Sequence, residues 1–498
     1  MTLPGPQTTR ALATTDSLRA QVSALLGQGW RLALVCAADD PPTVDAESFR
    51  VVHVFLRPIG QRHELLLRVP RNNPTVPTLA DLSFPAGRFE REVRDLFGIT
   101  PVGHPLPRRL VRHGHWPPGW YPMRRDAGAP PAFDSDLGSY PFVEVTGTGV
   151  YDIPVGPIHA GLIEPGHFRF SVVGETILRM KARLWFLHRG MEELFEGKTP
   201  QQAIALAERV SGDTAVGHSL ALLTAVEDAT GITPGAAVQA RRALLLELER
   251  LHNHVADLGA LANDVGFGLA NAHAQRIRET LLRHNEAVTG HRLLRGALTI
   301  GDARLRTPDL TLLTRVGQQV AQLADLTLGH FVVADRFTGT AALPPERAAE
   351  LGTLGYVARA SGLPIDARCD HPSSGLPHPH ELVLETSGDV RARYLVRVRE
   401  IEQSLRLIIE LAAIAERADQ APQPGPLRGS GLGVVEAWRG TLVHRVELGR
   451  DGRLTRVKIV DPSWFNWPAL SVALADTIVP DFPLANKSFN QSYAGNDL

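Results

Sequence analysis

Between His113 and Phe142 the chain reads HGHWPPGWYPMRRDAGAPPAFDSDLGSYPF, a run so crowded with Pro and Gly that regular elements cannot cross it. This run divides the molecule. It predicts an ordered lead-out followed by an interdomain linker over 126–150, leaving 1–125 and 151–498 to fold as two units. Before it, short β-branched and Leu-rich runs at Leu34–Ala38, Val51–Leu56 and Glu64–Val69 predict strands of a small α/β domain. A helix is predicted over Arg88–Phe97, with Phe89, Val93, Leu96 and Phe97 on a buried face and Glu90, Arg91, Glu92 and Arg94 on the other.

After Pro154 the pattern becomes helical. Leu244, Leu248, Leu251, Val255 and Leu258 form an apolar stripe within Ala236–Leu261, and a second long helix is predicted over Val390–Ala418. The last part returns to strand-like runs, LVHRVEL and RLTRVKIV, separated by the Asp451–Gly452 turn. The expected fold class is therefore α+β: a small N-terminal α/β domain, then a large, mainly helical domain with small β elements.

With 52 basic against 53 acidic residues, no global field draws the chain onto nucleic acid or an anionic bilayer. No stretch approaches the ~18 apolar residues of a membrane span, so membrane association is expected only through partners. Two cysteines, Cys36 and Cys369, can form neither a disulfide framework nor the four-thiolate cage of an iron–sulfur cluster, which fits a reducing, cytoplasmic location.

Two signatures carry a family resemblance. FEREVRDLFGI at Phe89–Ile99, with Gly103-His104-Pro105, Arg108-Arg109-Leu110 and Pro122–Asp126, resembles the 30-kilodalton subunit of complex I. That resemblance implies that Arg91, Glu92, Arg94 and Asp95 are docking or salt-bridge residues. PVGPIHAGLIEPGHFRFSVVGETILRMKARLWFLHRG, from Pro154, resembles the start of the large subunit of group 4 (hydrogenase-4 and formate hydrogenlyase-like) nickel–iron hydrogenases, and more distantly the 49-kilodalton subunit of complex I. Further similarity runs through Ala243–Phe267, Gly388–Ile408, Trp438–Gly440 and Asp461–Leu470.

In such hydrogenases two cysteine pairs hold the metals, because soft thiolates suit nickel and low-spin iron. The first pair belongs to an Arg-x-Cys-Gly-x-Cys-x-x-x-His motif. Here RVSGDTAVGH keeps Arg209, Gly212 and His218 but has Ser211 and Thr214 at the ligand positions. The second belongs to Asp-Pro-Cys-x-x-Cys, and here DPSWFN keeps Asp461 but has Ser463 and Asn466. Hydroxyls and an amide are hard, weak ligands that keep their protons near pH 7, so no metal is expected at this centre.

The resemblance also places Glu164, with His167 beside it, at a proton-relay position, and Arg439 over the former metal site. These three are the candidates for proton handling, with pairing of Glu164 to Arg439 across a cavity as the structural alternative. Complex I uses the corresponding cavity for quinone; the tyrosine it employs aligns with Gly212, and His159 or His167 would supply its histidine.

Two other features receive plainer readings. The histidine-bearing stretch Asp370–His380 matches no zinc spacing and reads as a solvated loop. Arg391, Arg393, Arg397, Arg399 and Arg406, interspersed with Glu400 and Glu402, read as a solvated or intersubunit face. No Gly-x-Gly-x-x-Gly follows a strand, so nicotinamide is not expected here.

The resemblance thus implies a subunit of a membrane-associated, complex I-related redox complex, peripheral on the inner face of the cell membrane, with no cofactor of its own. It would link a small subunit carrying an iron–sulfur cluster to membrane-arm subunits. A reductase of quinone or another small acceptor and a non-catalytic scaffold are the alternatives.

Overall fold

The computed structural model describes residues 7–41, 44–45, 47–136, 138, 140–160, 163–372, 381–418, 422 and 429–498. The architecture is mixed α and β, with several small sheets.

The N-terminal part is a four-stranded sheet. Strand Ser48–Arg57 pairs antiparallel with both Arg31–Ala38 and Gln61–Pro70, and Gln7–Ala13 adds to the far edge, parallel to Gln61–Pro70. That edge strand was not anticipated, because its polar sequence QTTRALA is largely exposed and lacks apolar alternation. Helix Thr15–Gly27 follows, its first turn closed by a reciprocal capping box between Thr14 and Ser17.

Helix Phe84–Phe97 departs from its expected half-buried character. Glu90, Arg91, Glu92 and Asp95 are all buried along with the apolar face, and only Arg94 among the expected charged residues is partly open. Three stretches cover the side expected to face water: Thr78 and Leu79 bond Glu90, the lead-out bonds Arg91 and Asp95, and Lys458 of the second half bonds Glu92. Phe89 stacks on Trp464 with ring centroids 4.8 Å apart, and Arg88 donates to the Trp464 carbonyl.

The described residues of 103–149 contain no helix or strand. A three-stranded antiparallel sheet, Val150–Val155, His167–Val173 and Thr176–Arg183, then leads into the helices. Helix Ala236–Asp264 is the axis of this part: the stripe Leu244, Leu248, Leu251, Val255 and Leu258 is fully buried, and helices Gly268–Thr289 and Val390–Ala415 pack along it. Arg393 and Arg397 on the last of these helices are also fully buried, so the solvated-face reading holds only for Arg391, Arg399 and Arg406. Arg393 donates to the carbonyls of Gly388 and Ala341, while Arg397 pairs with Asp257 at 3.0 Å and lies over the Tyr356 ring. Tertiary burial has turned two residues of an ordinary-looking basic helix into internal fasteners.

A second antiparallel sheet, Ser430–Ala437, Gly440–Leu448 and Leu454–Val460, closes the core, with the Asp451–Gly452 turn between its last two strands. Helix Ala215–Thr230 lies directly on its first strand. Gly431 and Gly433 permit that approach, because a Cβ at either position would run into the backbone of Ala221, Ala225 or Ala229. Among the described residues no helix is long and apolar enough to cross a membrane. Of the loop Asp370–His380, residues 373–380 lie outside the described residues.

Candidate functional site

Three elements bring together the four positions where the resemblance places metal ligands. The turn before helix Ala215–Thr230 carries Ser211 and Thr214; the start of helix Ser463–Ala473 carries Ser463 and Asn466; the tight turn between strands Ser430–Ala437 and Gly440–Leu448 carries Trp438 and Arg439. A fourth element, the segment Asn490–Asp497, closes over them. All four positions are buried to within 2%.

Asp213 organises the centre. Its Oδ1 accepts from Arg439 at 2.7 Å, Ser211 at 3.0 Å and Thr214 at 3.0 Å, and its Oδ2 accepts from Arg439 at 2.7 Å. Burial alone would raise this carboxyl, but Arg439 and the two hydroxyls hold it well below the usual carboxylate range. Arg439 also donates to the Asn490 carbonyl at 2.6 Å and lies 3.9 Å over the Trp438 ring. The Trp438 indole N–H, in turn, donates to the Asp213 carbonyl and to Thr214 Oγ1, both at 3.0 Å.

The hydroxyls form a directed chain. The Asp213 carboxylate only accepts, so Ser211 gives it its single proton and the Ser492 proton points to Ser211 Oγ at 2.8 Å, while Gly495 N donates to Ser492 Oγ at 2.9 Å. Ser463 Oγ accepts from Ser492 N at 2.9 Å. Asn466 stands outside this chain: its amide bonds both the N–H and the carbonyl of Leu354, at 2.9 and 3.1 Å. Three of the four former ligand positions are thus joined through Asp213 and Ser492, while the fourth pins a neighbouring loop.

A nickel–iron centre does not fit this donor set. It needs four soft, deprotonated sulfurs facing one point, whereas these are neutral oxygens and an amide already bonded within the chain. Among the described residues no cluster of His, Cys, Asp or Glu could hold a metal ion.

The retained motif residues divide. His218 and Asp461 are brought together, His218 Nε2 lying 3.1 Å from Asp461 Oδ2 while its Nδ1 lies 3.1 Å from His444 Nε2. Burial lowers His444 far below the ordinary imidazole value, with His218 beside it adding to the effect. Arg209 is exposed and caps its own helix at the Ala205 carbonyl; Gly212 is exposed at the rim, its carbonyl 3.4 Å from Arg295.

The proton-handling candidates are not assembled into one group. Glu164 is exposed and accepts from Ala494 N at 3.1 Å, so it does not pair with Arg439; Asp213 takes that place. His167 Nδ1 lies 3.2 Å from the Gly156 carbonyl with its ring near Phe142, and His159 Nε2 lies 2.8 Å from the Gly166 carbonyl. Each histidine is held by a backbone carbonyl of the connection between strands Val150–Val155 and His167–Val173.

The docking residues also separate by role. Glu92 reaches the second part of the chain, accepting from Lys458 at 2.7 Å, and Lys458 also donates to Glu192 at 2.9 Å. Arg91 and Arg94 donate instead to the carbonyls of Arg108, Arg109 and Pro107, while Asp95 accepts from the backbone N–H groups of Leu110, Val111 and Arg112. These three shape the lead-out, a local task, because that segment has no ladder to satisfy its own backbone.

Neither Ser492 nor Asp213 stands among the proton-handling candidates of the sequence. The acid between Ser211 and Thr214 was a readable signal for Asp213. Ser492 had none, since only chain folding brings Asn490–Asp497 to the centre.

Comparison with known proteins places this geometry. A model described as the respiratory-chain NADH dehydrogenase 30 Kd subunit matches residues 12–131, nickel-dependent hydrogenase matches 189–262, and the 49 Kd subunit matches 264–425. Formate hydrogenlyase subunit 5 of Escherichia coli is 35% identical, over 86% of this chain and 78% of that protein. Hydrogenase-4 component G of the same organism is 34% identical over 82% and 73%. In fold, the chain is similar to a chain of an archaeal membrane-bound sulfane sulfur reductase, with TM-score 0.64 at 24% identity, covering 70% of this chain and 99% of that one.

Proposed function

Because the chain belongs to the large-subunit family of formate hydrogenlyase and hydrogenase-4, related to complex I, we propose that it is the member of such a complex that works without a nickel–iron centre. In this reading it sits peripherally on the inner face of the cell membrane and links an iron–sulfur subunit to an ion-translocating membrane arm. The observation that carries it is the closed network of Ser211, Thr214, Ser463, Ser492, Asp213 and Arg439, in which the metal-holding positions have become hydrogen-bonded structure. A centre of this kind transmits position or protons between neighbouring subunits, and electrons are handled in the partner.

The test is anaerobic purification of the complex from its native host through a tag on this chain, with nickel and iron counted per copy by elemental mass spectrometry. Iron without nickel, together with co-purified iron–sulfur and membrane subunits, supports the reading; nickel near one per chain overturns it.

A second reading, reduction of quinone or another small acceptor, rests on the exposed Glu164 carboxylate anchored to Ala494 beside the centre. It requires Glu164→Gln to abolish turnover while the complex still assembles.

A further inference from the structure

A cavity of about 200 Å³ lies at the seam between the two parts of the chain, apart from the serine–threonine centre. Trp116, Trp120 and Met123 of the Pro-rich lead-out line it, as do Trp185 and His188 from the segment after strand Thr176–Arg183. The Trp116 and Trp120 rings stand 5.8 Å apart at 37°, and Phe133 meets both nearly edge-on, at 5.3 and 6.0 Å. The Trp120 indole N–H is engaged by the Ala127 carbonyl at 3.1 Å. What these residues contribute to the cavity is chiefly aromatic surface.

The polar groups around it are mostly acceptors. His188 Nδ1 lies 2.8 Å from the Asp497 carbonyl, and a carbonyl only accepts, so Nδ1 carries the proton and Nε2 keeps its lone pair. Burial lowers this imidazole, which keeps it neutral. The lining has four carboxylates, Glu92, Glu192, Glu193 and Asp497, against one guanidinium, Arg189. Glu92 and Glu192 are neutralised from behind by Lys458, and Arg456 adds to Glu192. Glu193 is exposed and has no ion pair among the described residues. Arg189 is already donating to the carbonyls of Arg209 at 3.1 Å and Val210 at 2.8 Å.

This inventory selects among ligands. An anion would meet four carboxylates against one guanidinium, which keeps its charge while it donates to backbone carbonyls. A neutral carbonyl compound, a quinone included, would leave Glu193 without a counter-charge. A cation with a flat apolar body would meet indole faces, a carboxylate and an imidazole lone pair, all of which attract positive charge.

We propose that this seam cavity binds a small organic cation with a flat apolar body, held against the Trp116 and Trp120 rings that line it and by Glu193 and His188 Nε2. The inference rests on the cavity alone and is independent of the function proposed above. Because the lining comes from both parts of the chain, such a ligand would fasten the lead-out to the second part and raise the stability of the whole.

The test uses the full-length chain, titrated calorimetrically with benzamidinium as probe, and with neutral benzamide and anionic benzoate as shape controls. Benzamidinium should bind and raise the melting temperature, with benzamide at least about tenfold weaker and benzoate without effect. Trp116→Ala should weaken benzamidinium about tenfold. Glu193→Gln, at an exposed position that folding tolerates, should weaken it about fivefold and flatten its salt dependence. If Trp116→Ala fails to fold, Trp116→Phe and Glu193→Gln decide. No binding of benzamidinium, benzamide or benzoate binding as tightly, or affinity unchanged in Glu193→Gln and the folded Trp116 variant would each overturn the proposal.

Discussion

Asp213 accepts four hydrogen bonds, two of them from a guanidinium that is only 3% exposed, so its removal leaves Arg439 charged, buried and short of its main partner. Breaking a buried pair costs about 3–5 kcal/mol, but the Asp213 side chain is 43% exposed and water screens part of the loss. Asp213→Asn is therefore expected to cost about 2 kcal/mol, read as a lower urea midpoint at pH 7; an unchanged midpoint would show that the network does not hold the centre. The folded state depresses this carboxyl, so its stabilisation is present at neutral pH and is lost only as pH falls below the ordinary value of 3.8. Asp497 behaves oppositely. Burial pushes its carboxyl up to about 6, against the help of Leu187 N and Asn496, so the folded state holds a proton that the unfolded chain has released. Its contribution is full below the ordinary 3.8 and is lost as pH rises through about 6. Measured against Asp497→Asn, the wild type should lose about 3 kcal/mol of relative stability between those limits, at about 1.4 kcal/mol per pH unit; equal pH slopes for the two proteins would refute this.

At the scale of elements, the seating of helix Ala215–Thr230 on strand Ser430–Ala437 depends on glycine. This helix carries His218 and follows directly from Thr214, so its distance from the sheet sets the geometry of the centre. Gly433→Ala places a Cβ against the Ala221 carbonyl and the Ala225 backbone, atoms that cannot turn aside as a side chain could. A loss of about 3 kcal/mol or more is expected. Gly452→Ala, in an open turn with φ +75°, should cost only about 1 kcal/mol. Chemical denaturation of the two variants side by side checks this, and a comparable loss in both would remove the close-packing argument.

Across the whole molecule, the two parts share one interior. A continuous buried apolar cluster runs from Leu18 and Phe89 to Trp464 and Phe489. Ion pairs cross the same boundary: Arg50 with Glu447 at 2.6 Å, Arg445 with Glu64 at 3.0 Å, and Lys458 with Glu92 at 2.7 Å. Calorimetry of the intact chain should therefore show one unfolding transition. Lys458→Met leaves Glu92 and Glu192 buried without their common cation and should cost about 3–5 kcal/mol. Adding Glu92→Gln should restore part of that loss. Two separated transitions in the wild type, or no recovery in the double variant, would show that the parts are only loosely joined.

Patterns whose cause is local were legible before folding was known. Apolar spacing marked the strands near Leu34, Val51 and Glu64 and the long helix through Leu248, because burial on one face imposes a period of two or 3.6. The family could likewise be read along the chain, because motif residues keep their spacing. Whether a charge faces water was decided only in three dimensions. Arg393 and Arg397 look like Arg391 and Arg399 in sequence, yet the neighbouring elements bury the first pair. Glu164 stands beside an obvious motif, but the arginine expected opposite it pairs with Asp213. Hydrogen-bond partners more than two hundred residues apart, such as Ser211 and Ser492, are set by the packing of whole elements, and no local pattern encodes which side chains that packing brings together.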